Sequence, residues 1–206
     1  HGNFDDAYRN MTYKHVMALK WFIYECPKAR FLLKTDDDVF INSPLLFNIL
    51  ENPLMPLHQP LYRDRLIYCH RIERAKVKRS YRSKWRVTYK EYSGRYFPGS
   101  CPGFAILYSN DAVFSLYQET QKLPYFWIDD VHITGTAASN LNLSITPFDS
   151  MYLNELTQRN LINGHFKDEE SLSFLFAQPN LSKMEINKLW KLVENNLKSE
   201  KNANKR

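Results

Sequence analysis

Long apolar runs are missing from this chain of 206 residues. No stretch of about 18 apolar residues occurs in it, which excludes a membrane-spanning helix within these residues. No internal repeat is present, so a solenoid or propeller is excluded. Cysteine is scarce: Cys26, Cys69 and Cys101 show none of the CxxC spacing of a zinc or thioredoxin site. An odd count permits at most one internal disulfide and leaves a thiol over. No signal peptide opens the chain, and His1 stands where an initiator Met would. We therefore expect a fragment or processed product whose targeting segment lies upstream. Acids are nearly absent from 71–90, where every charged residue except Glu73 is basic.

What is present argues for a folded domain. The composition is 44% hydrophobic and 15% aromatic, well above that of disordered chains, and the length suits one domain over 1–197. Residues 198–206 read as a basic, disordered tail. The formal charge of +6 and pI of about 9.1 favour polyanionic partners: nucleic acid, phospholipid headgroups or a phosphate-bearing donor. Charge runs are more often solvated faces than sites. The 71–90 segment, with Tyr81, Trp85 and Tyr89 available for stacking, would suit a nucleic-acid binder, yet it matches no nucleic-acid-binding module. Triplets at Asn10-Met11-Thr12, Asn142-Leu143-Ser144 and Asn180-Leu181-Ser182 fit N-x-[ST], which points modestly to a lumenal protein.

Periodicity places an amphipathic helix over 10–24, with Val16, Leu19, Trp21, Phe22 and Ile23 on its apolar side and Cys26-Pro27 as its stop. Phe31–Thr35 reads as a buried strand, and a helix over Pro44–Leu50 follows with Ser43 as N-cap. Three prolines over 52–60 indicate a loop. Strands are expected at Leu66–Cys69, Trp85–Tyr89, Phe104–Tyr108 and Ser144–Thr146. Helices are expected over Asp111–Thr120, Val131–Leu141 and Met184–Leu197. Strands alternating with helices imply an α/β layered domain.

Two acidic clusters follow apolar runs directly: Asp36-Asp37-Asp38 and Asp129-Asp130. In α/β sheets, ligands gather outside the carboxyl ends of strands. Three consecutive carboxylates repel one another unless a cation compensates, and oxygen-rich sites favour magnesium or manganese bridging a diphosphate. In an extended segment Asp36 and Asp38 share one face. That suggests Asp38 on metal, Asp36 on ribose or base and Asp37 on a donor sugar. Asp129 and Asp130 are candidates for a general base, or simply cap the next helix.

Several ordered blocks carry a resemblance. Phe4–Lys14 with Trp21 and Cys26-Pro27 resembles the "DFxDxYxNLTxK…W…CP" stretch of the β1,3-galactosyltransferase and β1,3-N-acetylglucosaminyltransferase family. Leu33–Asn42 resembles its "KTDDDVFVN" core, Lys84-Trp85 its "KW", Tyr96–Gly103 its "YPxYCxGxGYVLS" and Ile128–Val131 its "EDV". The resemblance covers 4 to about 148. It implies a GT-A-like mixed sheet flanked by helices, incomplete at the N-terminus, and an inverting transfer of galactose or N-acetylglucosamine from a UDP-sugar to the 3-hydroxyl of a glycan on protein or lipid. It further implies Mn²⁺ on Asp38, donor contacts from Asp36 and Asp37, a sugar site shaped by Lys84 and Trp85, and a base at Asp129 or Asp130. The family pattern also implies a lumenal Golgi enzyme held by a single-pass anchor outside this chain.

Departures from the pattern bear on activity. The family's strand–helix unit ahead of the first block has no counterpart here. Its cysteine after "EDV" is absent from His132–Ala137. Its late histidine, which often completes the metal site, falls near Gln178, ahead of Ser182 and Trp190; His165 is the alternative metal ligand and His132 a poorer one. The competing expectation is a non-catalytic relative that binds sugar or a partner protein.

Overall fold

The computed structural model describes residues 2–51, 64–165 and 172–203. They form two compact units, one from 2–34 and 64–147, the other from 35–51, 148–165 and 172–203. The loop expected over 52–60 lies outside the described residues.

The first unit holds a mixed α/β layer. Helix α1 spans Met11–Glu25 and ends where Pro27 removes a donor. Its buried positions are Thr12, His15, Leu19 and Phe22, the i, i+3, i+7, i+10 stripe of a 3.6-residue period. Trp21, expected on the apolar side, is 59% exposed, because the turn of the helix rotates it off that stripe. Strands β1 (Phe31–Thr35), β2 (Ile67–Cys69), β3 (Ala105–Ser109) and β4 (Ile145–Pro147) form one sheet in the order β1-β3-β2-β4. β2 runs antiparallel to β3, with Tyr68 opposite Leu107, and parallel to β4. Every residue of β2 and β3 is buried, the near-continuous apolar pattern of strands covered on both faces. The core joins these strands to Leu19 and Phe22 of α1 and to Val113 and Leu116 of α3, which spans Asn110–Thr120.

Two sequence expectations are corrected in this unit. Val131–Ala137 is a π-helix that runs into a short α4 (Ala138–Asn140), where a regular helix was expected. Trp85–Tyr89 is not a strand. Ser83 Oγ accepts from Trp85 N at 3.2 Å, and Glu91 Oε2 accepts from both Thr88 N and Thr88 Oγ1 at 2.7 Å. These local side-chain bonds turn the backbone in place of a ladder. Cys69 and Cys101 form a disulfide, Cα–Cα 5.7 Å, leaving Cys26 as the free thiol.

The second unit opens on the Asp36–Asp38 turn. Helix α2 spans Ser43–Glu51. Its cap is Asn42 rather than the expected Ser43: Asn42 Oδ1 accepts from Leu45 N at 3.3 Å. Helix α5 (Glu155–Ile162), which periodicity did not reveal, starts at Asn154, whose side chain accepts from Thr157 N at 2.9 Å. Helix α6 spans Lys183–Ala203, opened by a capping box between Ser182 and Glu185. It runs past Leu197, through residues of fair helix propensity, with Ser199 Oγ donating to Asn195 O at 3.1 Å. The unit's core gathers Phe40, Leu153, Leu161, Phe174, Leu189 and Val193. Among the described residues no helix is long and apolar enough to cross a membrane.

The disulfide closes a sequence separation of 32, which constrains the unfolded chain by about 3.5 kcal/mol in the loop-entropy account. The Cys69→Ala/Cys101→Ala double variant is expected to lose about that much in urea denaturation. An unchanged midpoint would show that the bridge contributes nothing to stability.

Candidate active site

Asp129 and Asp130 stand where an aromatic run ends and the π-helix begins. Asp129 is buried, and its Oδ2 receives His15 Nδ1 at 2.9 Å. His15 comes from the buried stripe of α1, and its Nε2 lies 3.3 Å from the hydroxyl of Tyr108 in β3. Lys34, the one charged residue within β1, places Nζ 3.9 Å from the same Asp129 oxygen and donates to the carbonyl of Gly103. Asp130 keeps part of its surface in solvent, and its Oδ2 accepts from Gly103 N at 2.9 Å.

Gly103 leaves room for this crowding. A Cβ there would meet Asp130 Oδ1 at 2.7 Å and Lys34 Nζ at 2.8 Å, closer than such atoms approach. The glycine in the Pro102-Gly103 turn therefore lets backbone and two charged side chains share one volume.

The two carboxyl groups are held in opposite states. Burial pushes Asp129 up, but the hydrogen bond and positive charge of His15, with Lys34, outweigh it and hold Asp129 well below the usual carboxylate range. At Asp130, lost solvation and then the negative charge of Asp129 push the group up to about 8, against the opposing pull of Lys34 and Gly103 N–H. Near neutral pH, Asp129 carries the charge and Asp130 the proton, a division that marks acid–base sites. His132, the poorer metal candidate, is buried in the π-helix, and burial lowers its pKa.

Lys84 and Trp85 belong to an aromatic cluster in the same unit. Trp85 stacks on Trp127 at 6.3 Å and meets Tyr8 edge-on at 4.8 Å. Lys84 Nζ lies 5.2 Å from the Trp85 ring, and Arg9 Cζ 4.7 Å from that of Trp127. Trp127 precedes Asp129 by two residues, so the pair packs directly against the segment that carries the carboxylates.

The acidic run lies in the second unit. Extended backbone ends at Thr35, and Asp37 and Asp38 form a turn, so the alternation expected for an extended triplet does not apply. Burial separates the three instead: Asp36 and Asp37 are exposed, whereas Asp38 is half-buried and its Oδ1 is enclosed without a hydrogen-bond partner. An enclosed, unpaired carboxylate oxygen is costly unless a cation or donor meets it, and it fits a metal ligand. Among the described residues, no three or more His, Cys, Asp or Glu side chains gather as a metal cluster. His165 lies exposed just past α5, its N–H donating to Asn160 O at 2.8 Å. Gln178 is tied internally, its backbone N–H donating to Gln158 Oε1 at 2.6 Å and its Nε2 to Leu153 O at 2.7 Å.

Sequence reasoning passed over His15, Lys34 and Gly103. A histidine on the buried stripe of α1 and a lysine inside an apolar strand were the available signals, since a buried polar group implies a partner.

The carboxyl pair makes stability depend on pH in a defined direction. Asp130, raised on folding, contributes stability that is present below the unfolded carboxylate value and is lost as pH rises toward about 8. Asp129, lowered on folding, contributes above the unfolded value and loses it as pH falls. Asp130→Asn, which mimics the protonated group, is expected to flatten the decline that runs up to about pH 8 by up to about 1.4 kcal/mol per pH unit. Urea melts from pH 5 to 9 test this; a variant with the parent's slope overturns the assignment.

Comparison with known proteins agrees with the geometry. Residues 1–149 match the sequence model of the family described as Galactosyltransferase. The chain is 29% identical over 185 residues to the pig protein named UDP-GalNAc:beta-1,3-N-acetylgalactosaminyltransferase 1, covering 84% of this chain and 52% of the relative. It is 28% identical over 152 residues to human beta-1,3-galactosyltransferase 5, covering 72% of this chain and 45% of the relative. The chain thus spans about half the length of the curated relatives it matches. With the mixed sheet and flanking helices of a GT-A-like fold, these matches show that the chain belongs to the galactosyltransferase family.

Proposed function

We propose that this chain carries catalytic machinery of an inverting UDP-sugar glycosyltransferase that forms a β1,3 linkage to a glycan on protein or lipid. The observation that carries the reading is the carboxyl pair, in which His15 and Lys34 fix the charge on Asp129 and leave Asp130 with a value near working pH. A base is most effective when its pKa lies near the operating pH. Asp130 is therefore the base: its ionised fraction, which a value of about 8 leaves available near working pH, removes the proton from the acceptor hydroxyl as that oxygen attacks the anomeric carbon opposite the departing UDP. Asp129 stays ionised and raises the basicity of its neighbour, while Lys34 limits the repulsion between them.

In the second unit, Asp38 would hold the divalent cation, Mn²⁺ in this proposal, with His165 as a further ligand and Asp36 and Asp37 on the donor's ribose and sugar. Bound there, the cation would neutralise charge growing on the diphosphate. One carboxylate plus phosphate oxygens and waters suffices for such ions. Lys84 and Trp85 line the sugar side. The donor is a UDP-hexose or UDP-N-acetylhexosamine: the notable candidates are galactose and N-acetylglucosamine, and the name of the pig relative adds N-acetylgalactosamine. A lumenal Golgi setting accords with the disulfide and with the exposed Asn142 and Asn180 of two N-x-[ST] triplets.

Two measurements test this. Titration calorimetry of UDP is expected to show manganese-dependent binding that Asp38→Ala abolishes. With donor and acceptor supplied, Asp130→Asn is expected to lower kcat by about 10²–10⁴-fold with UDP binding retained. Absence of UDP binding under every condition would favour a non-catalytic relative.

A further inference from the structure

The 71–90 segment divides its cations by alternation. Residues 72–77 pair with 96–100 through the Ile72–Ser100 and Lys76–Tyr96 bridges, which keeps the stretch extended. Arg74, Lys76 and Lys78 are exposed, whereas Val77 is buried against Val87, Trp127 and Ile128. Arg79 turns inward and donates to the carbonyls of Val87, Tyr92 and Gly94 at 2.7–2.8 Å, so it serves the fold. The packing of apolar residues inward thus leaves most of the remaining cations of the segment exposed. Among the described residues the ion pairs touching this region are Arg71–Glu73 and Arg9–Glu91, neither of which engages Lys76, Lys78, Arg82 or Lys90.

The same segment carries the two most exposed large hydrophobic side chains among the described residues, Tyr81 at 87% and Tyr89 at 72%. Each ring has a guanidinium over one face, Arg86 at 3.7 Å and Arg79 at 4.1 Å. A solvated basic face has no need of aromatic rings held this way. Aromatic faces interleaved with cations suit a ligand that offers C–H faces and anionic groups in alternation. Within the strip, Trp85 stacks on Trp127, two residues before Asp129.

We propose that the acceptor is an anionic glycan, bearing sulfate groups, that lies along the 71–90 strip, with Lys76, Lys78, Arg82 and Lys90 meeting its anions and Tyr81 and Tyr89 its sugar faces. This rests on the glycosyltransferase reading above and names the acceptor class for the same site. Continuity with the carboxylate segment favours a glycan over nucleic acid or a lipid surface, for which that link has no use.

The test titrates the chain with a size-defined sulfated hexasaccharide and its desulfated counterpart, at two salt concentrations, with UDP titration alongside. The sulfated form is expected to bind at least tenfold more tightly, with affinity falling as salt rises. Lys76→Glu/Lys78→Glu/Arg82→Glu/Lys90→Glu is expected to remove that preference, and Tyr81→Ala/Tyr89→Ala to weaken sulfated-saccharide binding several-fold, both with the parent's melting temperature and UDP affinity. The comparison of the two saccharides on the parent chain needs no variant to fold. Equal affinity for both saccharides, or binding to neither, overturns the proposal. So does a single-stranded oligonucleotide or a phosphatidylserine vesicle that binds more tightly than the sulfated saccharide. Retained UDP binding in any of those cases leaves the glycosyltransferase reading standing, whereas saccharide binding without UDP binding sinks that reading instead.

Discussion

Two neighbouring carboxyl groups, Asp129 and Asp130, are drawn away from solvent at one point of the first unit, and much of that unit is arranged to make this tolerable. Side by side in a poorly solvated setting, two negative charges are strongly unfavourable. The structure resolves the conflict by asymmetry instead of neutralising both. Asp129 receives His15 and Lys34 and stays ionised; Asp130 receives the Gly103 N–H and is pushed toward the protonated form. Each partner comes from a different element, so α1, β1, the turn before β3 and β3 itself must all hold register. A rotation of α1 by one residue would take His15 off the stripe shared with Leu19 and Phe22 and strand Asp129 without its donor.

The excursion from Arg71 to Cys101 has little regular structure, and its order comes from elsewhere. The Cys69–Cys101 bridge closes its two ends. Between them, Arg79 satisfies three part-buried carbonyls, the work a sheet ladder does in a regular segment. Val77, Val87 and Phe97 then pack on Trp127, Ile128 and Val131, the residues flanking the carboxyl pair. This irregular region therefore backs the segment that bears the pair.

Most of the framework was legible because its elements announce themselves in one dimension. β3 is a continuous apolar run, α1 has a clean period and a proline stop, and the acidic clusters sit at the ends of such runs. What escaped were features set by three-dimensional partners. The alternation of Trp85–Tyr89 imitates a strand, but the hydroxyls of Ser83 and Thr88 and the Glu91 carboxylate capture its backbone. The π-helix at Val131–Ala137 has no distinct residue pattern, while α5 is short and weakly patterned, legible only through its Asn154 cap. His15 resembled any polar residue on an amphipathic helix until its place on the buried stripe was known. The acidic triplet was visible as a motif, yet its inequality, with Asp38 enclosed and Asp36 and Asp37 exposed, follows from the turn that ends β1.

Charge in this chain shows why composition alone misleads about role. The basic run from 71 to 90 is uniform as a sequence, but burial separates its members by function: Arg79 replaces a hydrogen-bond ladder inside the fold, while Lys76 and Lys78 stand outside on the opposite parity. The same holds for the acids. Asp129 and Asp130 are chemically identical neighbours, and only the positions of His15, Lys34 and Gly103 make one a fixed charge and the other a group that exchanges a proton near neutral pH. In both cases the residue type supplies a charge, and the surrounding backbone decides whether that charge is held, shared or offered to a ligand.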